Sequence, residues 1–265
     1  MTGPGNPPLV TIVTIAKNNQ AGLLKTLESI KSQDFDLWSL VIVVGDSTDR
    51  TLELAQSFVE NSLKTTLMEQ QDSGIYEAMN LGMTLVETEF VWFMNSGDVF
   101  YDSESLKVGV IEAQRHGCSL LIGHHRIQGD ERKFKNRVGK LHPLSFAFSR
   151  RGSCHQAMIF KTSSLDKRFT YNANLKYCAD YSLALSLVAN NSAYRIKDVL
   201  CEVEPGGVSD VNLRKVHSEK HSIRSDIFGQ KRWLRAYSVT WIFLLFCKVY
   251  FRNIMLKFKE RHSKS

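Results

Sequence analysis

Four short polar segments each follow an apolar stretch within the first hundred residues. They are KNN at 17–19, GDSTD at 45–49, QDSG at 71–74 and NSGD at 95–98. Carboxylates and amides beside small residues suit a polar ligand that comes close to the backbone. If that ligand is phosphorylated, a hard cation with oxygen ligands, Mg²⁺ or Mn²⁺, is expected between the acids and the phosphates. The four segments therefore predict a binding site for a polar ligand.

The apolar stretches predict the elements that position these segments. β-Branched runs of strand length alternate with amphipathic runs of helical spacing about every 15 residues, which predicts βαβ units and a parallel sheet with helices on both faces. Ligands bind at the carboxyl ends of strands in such sheets, where the polar segments lie. The predicted strands are 9–16, 38–44, 64–68 and 89–95, and the predicted helices are 21–32, 50–62 and 75–87.

The second half of the chain has a less regular pattern. Helices are predicted at 104–116 and 179–189, and a strand is predicted at 119–124. The polar, basic stretch 128–153 predicts a loop with edge strands. The alternation of apolar and polar residues in 155–161 predicts a further strand, and residues 193–204 predict one or two more strands.

Several function classes lack their sequence signals. The chain has neither GxxxxGK[ST] nor GxGxxG, so the phosphate-cradling loops of P-loop and dinucleotide-binding proteins are absent. Its five cysteines are widely spaced without a CxxC, which predicts reduced thiols of a cytosolic protein. No secretory signal opens the chain, and no apolar run reaches the ~18 residues of a membrane span.

The motifs, in their order, resemble those of glycosyltransferase family 2, whose members have the nucleotide-sugar-binding GT-A fold. The version with GIYEAMNLG and NSGD is most similar to bacterial enzymes of exopolysaccharide and colanic-acid-type gene clusters. The resemblance extends over residues 9–210. It rests on VTIVTIAKNN, LVIVVGDSTDRT, QDSGIYEAMNLGM, FVWFMNSGD, SCHQAMIFK, YCADYSLALSL and GGVSD.

The resemblance implies a role for each matching residue. Asp180 would be the general base, which takes the proton of an acceptor hydroxyl as it attacks the anomeric carbon. Asp98 would ligate the divalent cation, Mg²⁺ or Mn²⁺, that neutralises the leaving diphosphate. The donor would be bound by Ala16, Asn18, Asp46, Asp49, Asp72, Gly74, Asn80 and Asn95. The acceptor side of the site, or a loop over the diphosphate, would be formed by His155, Gln156, Gly206 and Gly207.

The chain departs from the family pattern at two places. Family members often carry acids at the positions of Asn95 and Gly97. This chain has no acid at either position and retains only Asp98 of the acidic motif. The nucleoside loop usually begins with an acid, and here it begins with Val44-Gly45, so that Asp46 is the candidate replacement.

Structural roles remain open for most of the site residues. Asp49 and Asp180 each precede or begin a predicted helix and suit helix capping. Asp72 with Gly74 suits a turn before a helix, and Asp98 suits a solvated turn. His155 suits a histidine buried in a strand.

The positive charge of the chain is concentrated at its C-terminal end. Residues 231–265 hold nine Lys or Arg and one acid, a formal charge of +8, whereas the first 230 residues are at −1. The apolar run VTWIFLLFC at 239–247 lies among these basic residues. This combination predicts a helix in the interface of an anionic membrane. The alternative is a C-terminal helix packed on the core of the domain, and nucleic-acid binding is a more distant third.

The sequence thus predicts a GT-A domain at 8–210 and a helical, membrane-surface tail at 211–265. The predicted enzyme moves one sugar from a nucleotide-diphospho-sugar to a hydroxyl with inversion, on a lipid-linked saccharide acceptor of cell-surface polysaccharide biosynthesis. The tail would hold the enzyme on the cytoplasmic face of the plasma membrane. The alternatives are a non-catalytic sugar-nucleotide-binding or scaffold protein of the same fold, and a sugar nucleotidyltransferase.

Overall fold

A computed structural model describes residues 6–71, 74–130, 138–149, 154–166, 171–190, 192–206 and 212–229. Its first half alternates strands with helices as the hydrophobic pattern predicts. The elements are β1 (Val10–Ala16), α1 (Gln20–Lys31), β2 (Trp38–Gly45), α2 (Thr51–Glu60), β3 (Thr65–Gln70), α3 (Ile75–Met83), β4 (Phe90–Phe93), β5 (Val99–Phe100) and α4 (Ser105–His116).

The second half adds strands that run in both directions and three further helices among the described residues. They are β6 (Leu120–Ile127), β7 (Gly139–Lys140), α5 (Pro143–Ala147), β8 (Met158–Lys161), α6 (Ala179–Ala189), β9 (Ala193–Val203) and α7 (Leu213–Phe228).

The strands form a single mixed sheet in the order β3-β2-β1-β4-β8-β6-β9-β5, with β7 paired to β9. The first four strands are parallel to one another. β8 is antiparallel to both of its neighbours, β6 and β9 are parallel, and β5 is antiparallel to β9. The α/β architecture with helices against a central sheet agrees with the GT-A fold expected from the motifs.

The centre of the sheet is buried on both faces, which explains the continuous apolar runs in its strands. Ile12, Ile42 and Trp92 are fully buried in the core. Helix α3 approaches β1 and β2 closely at Gly82, where a Cβ atom would meet the side chains of Val13 and Val43. The strand ends that carry the polar segments are therefore held by a rigid, dry core.

Two local structures differ from the sequence-based expectation. The predicted strand 155–161 begins with a 3-10 turn at His155–Ala157, and β8 follows it. The turn is stabilised because Trp92 Nε1 donates to the carbonyl of Gln156 over 2.7 Å. The second difference is the short helix α5, which lies inside the stretch predicted as a loop with edge strands and begins with Pro143.

The chain divides into two units between Lys220 and His221, and residues 221–229 are the described part of the second unit. Within the described residues, no helix has the length and apolar character needed to cross a membrane. The basic and apolar tail at 231–265 lies outside the described residues.

Candidate active site

The carboxyl ends of β1, β2 and β4 bring three of the polar segments together. The central strand β1 pairs with both β2 and β4 in parallel register. Asn18 Oδ1 accepts a hydrogen bond from the backbone of Thr48 over 2.7 Å, and Asn19 Nδ2 donates to Ser96 Oγ over 3.0 Å. The segment after β1 therefore joins the GDSTD loop (residues 45–49) to the NSGD turn (residues 95–98).

The two aspartates of the GDSTD loop have different environments. Asp49 accepts backbone hydrogen bonds from Gln20 over 3.2 Å and Thr51 over 3.0 Å, at the starts of α1 and α2. The hydrogen bonds from Thr51 lower the pKa of the Asp49 carboxyl. The Asp46 side chain is exposed and has no hydrogen bond with the described residues. Asp49 thus binds the first backbone N–H of each of the two helices, and the carboxylate of Asp46 is available to a ligand.

Other predicted donor residues have structural contacts. Ala16 is buried at the end of β1. Asn80 Nδ2 donates to the carbonyl of Tyr171 over 2.7 Å, and Asn80 Oδ1 accepts from the backbone N–H of Tyr171 over 2.7 Å. Gly74 precedes α3 with φ of 115°, a conformation that favours glycine. Asp72 lies outside the described residues.

The NSGD turn is built around the buried hydroxyl of Thr26 in α1. Thr26 Oγ1 lies 2.7 Å from the carbonyl of Asp98 and accepts from the backbone N–H of Gly97 over 3.0 Å. The carbonyl of Gly97 accepts from Gln128 Nε2 over 2.9 Å, and Gly97 has φ of 100°. The turn is therefore fixed from both sides, in a backbone conformation that glycine adopts easily.

Asp98 is a buried carboxylate, with 6% of its surface exposed. Oδ1 accepts from the backbone N–H of Glu204 over 2.9 Å, and Oδ2 accepts a short hydrogen bond from Gln156 Nε2. Burial raises the pKa of this carboxyl, and the two hydrogen bonds oppose that effect. Asp98 therefore links the NSGD turn to the end of β9 and to the turn before β8.

The predicted base and the NSGD turn meet at His155. Its Nδ1 lies 3.7 Å from Asp180 Oδ2, and its Nε2 lies 3.1 Å from Asn95 Nδ2. With the Asn95 amide nitrogen as the donor, Nε2 is the acceptor, and Nδ1 is the ring nitrogen on the side of Asp180. Asn95, His155 and Asp180 come from distant parts of the sequence and thus form a continuous series of polar contacts.

Three titratable groups near Asp180 keep their protons near neutral pH. Burial raises the pKa of Tyr76 and of Cys154, and the nearby Asp180 charge raises both further. Burial also raises the pKa of Cys178 to about 12. Asp180 lies in the first turn of α6, with 21% of its side chain exposed. Because these three neighbours are protonated near neutral pH, none of them competes with Asp180 as the base.

Two contributing acids were absent from the sequence-based set. Glu219 in α7 accepts backbone hydrogen bonds from Lys176, Tyr177 and Cys178 at 2.9–3.0 Å, which orders the segment before Asp180. Glu204 directly follows β9, and its backbone N–H donates to Asp98 Oδ1. The adjacent Gly206 is exposed with φ of 93°, and Gly207 lies outside the described residues. The EPGG sequence around Gly206 was a local signal for Glu204, whereas no motif marked Glu219.

The NSGD turn offers oxygen donors to a hard cation. Within the described ranges, no group of three or more His, Cys, Asp or Glu is arranged to hold a metal ion. The turn nevertheless contains the Asp98 carboxylate and the buried Oδ1 of Asn95, which has no hydrogen-bond partner among the described residues. Mg²⁺ is commonly held by one or two carboxylates together with substrate phosphates. The donor set thus fits a divalent cation that a diphosphate helps to hold.

The family model described as Glycosyl transferase family 2 matches residues 11–173. A relative from Mycobacterium bovis, named PGL/p-HBAD biosynthesis glycosyltransferase, is 26% identical over 242 residues, which cover 87% of this chain and 93% of the relative.

Two solved proteins show the same fold. Staphylococcus aureus TarS, named a poly(ribitol-phosphate) beta-N-acetylglucosaminyltransferase, superposes with a TM-score of 0.65 at 18% identity. The match covers 83% of this chain and 42% of TarS. The mannosyltransferase PcManGT from Pyrobaculum calidifontis, solved with GDP-Man and Mn²⁺, gives a TM-score of 0.62 at 19% identity and covers 80% of this chain and 62% of PcManGT.

Proposed function

Because the chain belongs to glycosyltransferase family 2, we propose that it transfers one sugar from a nucleotide-diphospho-sugar to an acceptor hydroxyl, with inversion at the anomeric carbon. The contact of His155 with both Asp180 and Asn95 carries this proposal. His155 connects two parts of the site. One is the Asp180 carboxylate, which can accept a proton, and the other is the NSGD turn, beside which the donor diphosphate would lie.

The reaction is a single displacement. The acceptor oxygen forms a bond to the anomeric carbon while its proton passes to the Asp180 carboxylate. The bond from the anomeric carbon to the diphosphate oxygen breaks, and the nucleoside diphosphate leaves with that electron pair. One displacement inverts the configuration, and a positioned base contributes typically ~10²–10⁴-fold to such a rate. The Nδ1 of His155 faces Asp180 Oδ2 and leaves Oδ1 for the acceptor proton.

The donor would lie along the ends of β1, β2 and β4. Asp46, which is exposed, would accept hydrogen bonds from the nucleoside, and Asn18 and Asp49 hold the loop that carries it. A divalent cation between the NSGD turn and the diphosphate oxygens would stabilise the leaving diphosphate by its charge. TarS solved with UDP-GlcNAc and PcManGT solved with GDP-Man support a nucleotide-sugar donor.

The acceptor is proposed to be a saccharide on a lipid carrier, in the synthesis of a cell-surface glycan. The name of the mycobacterial relative and that of TarS support this class of product. The basic, apolar tail at 231–265 would bind anionic lipid at the cytoplasmic face of the plasma membrane. Replacement of Lys248, Arg252 and Lys257 by Gln should release the protein from anionic vesicles and preserve transfer to a soluble acceptor. Unchanged sedimentation with vesicles would contradict the attachment.

A two-part experiment tests the transfer itself. Thermal unfolding with UDP-, GDP- and dTDP-sugars, each with Mn²⁺, Mg²⁺ or chelator, identifies the donor class because a ligand that binds the native state raises the midpoint. Turnover of that donor is then compared between the wild type and Asp180→Asn. The variant should bind the donor normally and lose about 10²–10⁴-fold in rate. Donor binding without turnover in the wild type, unaffected by Asp180→Asn, would favour the non-catalytic alternative.

A further inference from the structure

Glu204 lies opposite the NSGD turn because of the pairing of two distant strands. β5 and β9 are antiparallel, with Phe100 opposite Cys201 and Val99 opposite Glu202. The same register continued by two residues sets Gly97 opposite Glu204. The hydrogen bond from the Glu204 backbone to Asp98 Oδ1 fixes the position of this residue beyond the end of β9.

The Glu204 carboxylate occupies the space above Gly97. A Cβ atom on Gly97 would collide with Glu204 Oε2, and the same Cβ position lies 3.7 Å from Asn19 Nδ2. The space into which a side chain at 97 would project thus already contains an acid, which reaches it from the other strand. Gly97 is one of the two positions where an acid was expected and is missing.

We propose that Glu204 is the protein carboxylate that binds the divalent cation of the donor diphosphate, in place of an acid at Gly97. The inference rests on the proposed glycosyl transfer. Glu204 is exposed and can reach a ligand, whereas Asp98 is buried and both of its oxygens already accept hydrogen bonds. Asp98 forms the inner side of the site and is a positioning residue for Glu204.

The charges at this point favour a cation. Among the described residues, no Lys or Arg forms an ion pair with Asp98 or Glu204, and the Glu204 charge contributes to the raised pKa of Asp98. The unpartnered Oδ1 of Asn95 is a further buried oxygen in the same turn. A cation at Glu204 would relieve the repulsion between the two carboxylates, and diphosphate oxygens would complete its coordination.

Mn²⁺ binding tests this inference without activity as the readout. Free Mn²⁺ is followed by electron paramagnetic resonance as it is titrated into the full chain with saturating UDP, and separately with GDP. Glu204→Gln keeps the backbone bond to Asp98 and removes the charge, so its Mn²⁺ affinity should fall by about tenfold or more. Glu202→Gln, two residues earlier and within β9, is the matched control and should bind as the wild type does. Thermal unfolding verifies that both variants are folded.

Equal Mn²⁺ affinity in Glu204→Gln and the wild type would overturn the role of Glu204 and leave the proposed transfer intact. Absence of nucleotide-dependent Mn²⁺ binding in the wild type would also overturn it. In that case, donor turnover in chelator would show that the transfer itself stands without a cation, whereas no turnover under any condition would remove the proposed function as well.

Discussion

The imidazole Nδ1 of His155 lies 3.7 Å from Oδ2 of Asp180, although 25 residues separate them in the chain. The distance exceeds that of a hydrogen bond, and the ring lies beside the carboxylate closely enough to limit its position. The ring is held on its other side by Asn95, so that Nδ1 faces the carboxylate. His155 is therefore placed to orient the proposed base, without itself contacting the reacting atoms.

Substitution of His155 by Gln should lower kcat by about ten- to hundredfold, because small displacements of a catalytic group are costly. The KM for the donor should change little, since His155 faces the base. Steady-state kinetics with the identified donor measure both quantities. His116→Gln is the control, because His116 pairs with Glu112 in α4, 3.2 Å away, outside the site. A raised KM with unchanged kcat would contradict the positioning role.

Two buried threonines offer a matched test of the NSGD turn. The Thr26 hydroxyl bonds the backbone of Gly97 and Asp98, whereas the Thr14 hydroxyl in β1 is buried without a hydrogen-bond partner in the described structure. Thr26→Val should lower the free energy of unfolding by about 1–3 kcal/mol, because it leaves buried backbone groups unpaired. Thr14→Val should be neutral or stabilising. Denaturant unfolding measures both, and equal effects would contradict the role of Thr26.

The two aspartates of the GDSTD loop should respond differently to loss of charge. Asp49→Asn removes one of two acceptor oxygens that bind the first backbone N–H groups of α1 and α2, so the unfolding midpoint should fall. Asp46→Asn removes an exposed carboxylate without internal partners, so the midpoint should not change and nucleotide affinity should decrease. Thermal unfolding and calorimetric titration of UDP and GDP separate the two effects. Equal nucleotide affinity in wild type and Asp46→Asn would exclude Asp46 from the donor site.

The contribution of two histidines in β6 to stability should be lost as pH falls below about 6.5, the usual pKa of an unfolded histidine. Burial lowers the pKa of His124 and of His125, and Arg195 lowers that of His124 further, against an opposing effect of Asp198. The unfolded chain therefore binds protons in a range where the folded chain does not, and stability that is present above pH 6.5 is lost on acidification.

Urea unfolding between pH 7.5 and 5.5 measures this loss. The change in the free energy of unfolding between pH 7.5 and 5.5 should be smaller in His124→Gln than in the wild type. This holds whatever the stability of the variant at pH 7.5. Identical pH dependence in the two proteins would show that His124 does not contribute.

The order of strands and helices in the first half was predictable because each element has a local pattern. β1, β2 and α2 were expected within one or two residues of their observed bounds, since a buried strand shows a continuous apolar run and an amphipathic helix a regular spacing. The turn at His155–Ala157 was missed because it depends on Trp92 in β4 and on Asp98 in the NSGD turn, which both bond Gln156.

The sequence by itself determined the family, the alternation of strands and helices and the candidate base Asp180, because motifs and periodicity are local properties. Only the tertiary structure decided which of the acids are available to a ligand. It bonded Asp49 to the first backbone N–H groups of α1 and α2, buried Asp98 and set Glu204 above Gly97. These outcomes depend on the antiparallel register of β5 and β9 and on contacts between residues up to about a hundred positions apart, which no local pattern encodes.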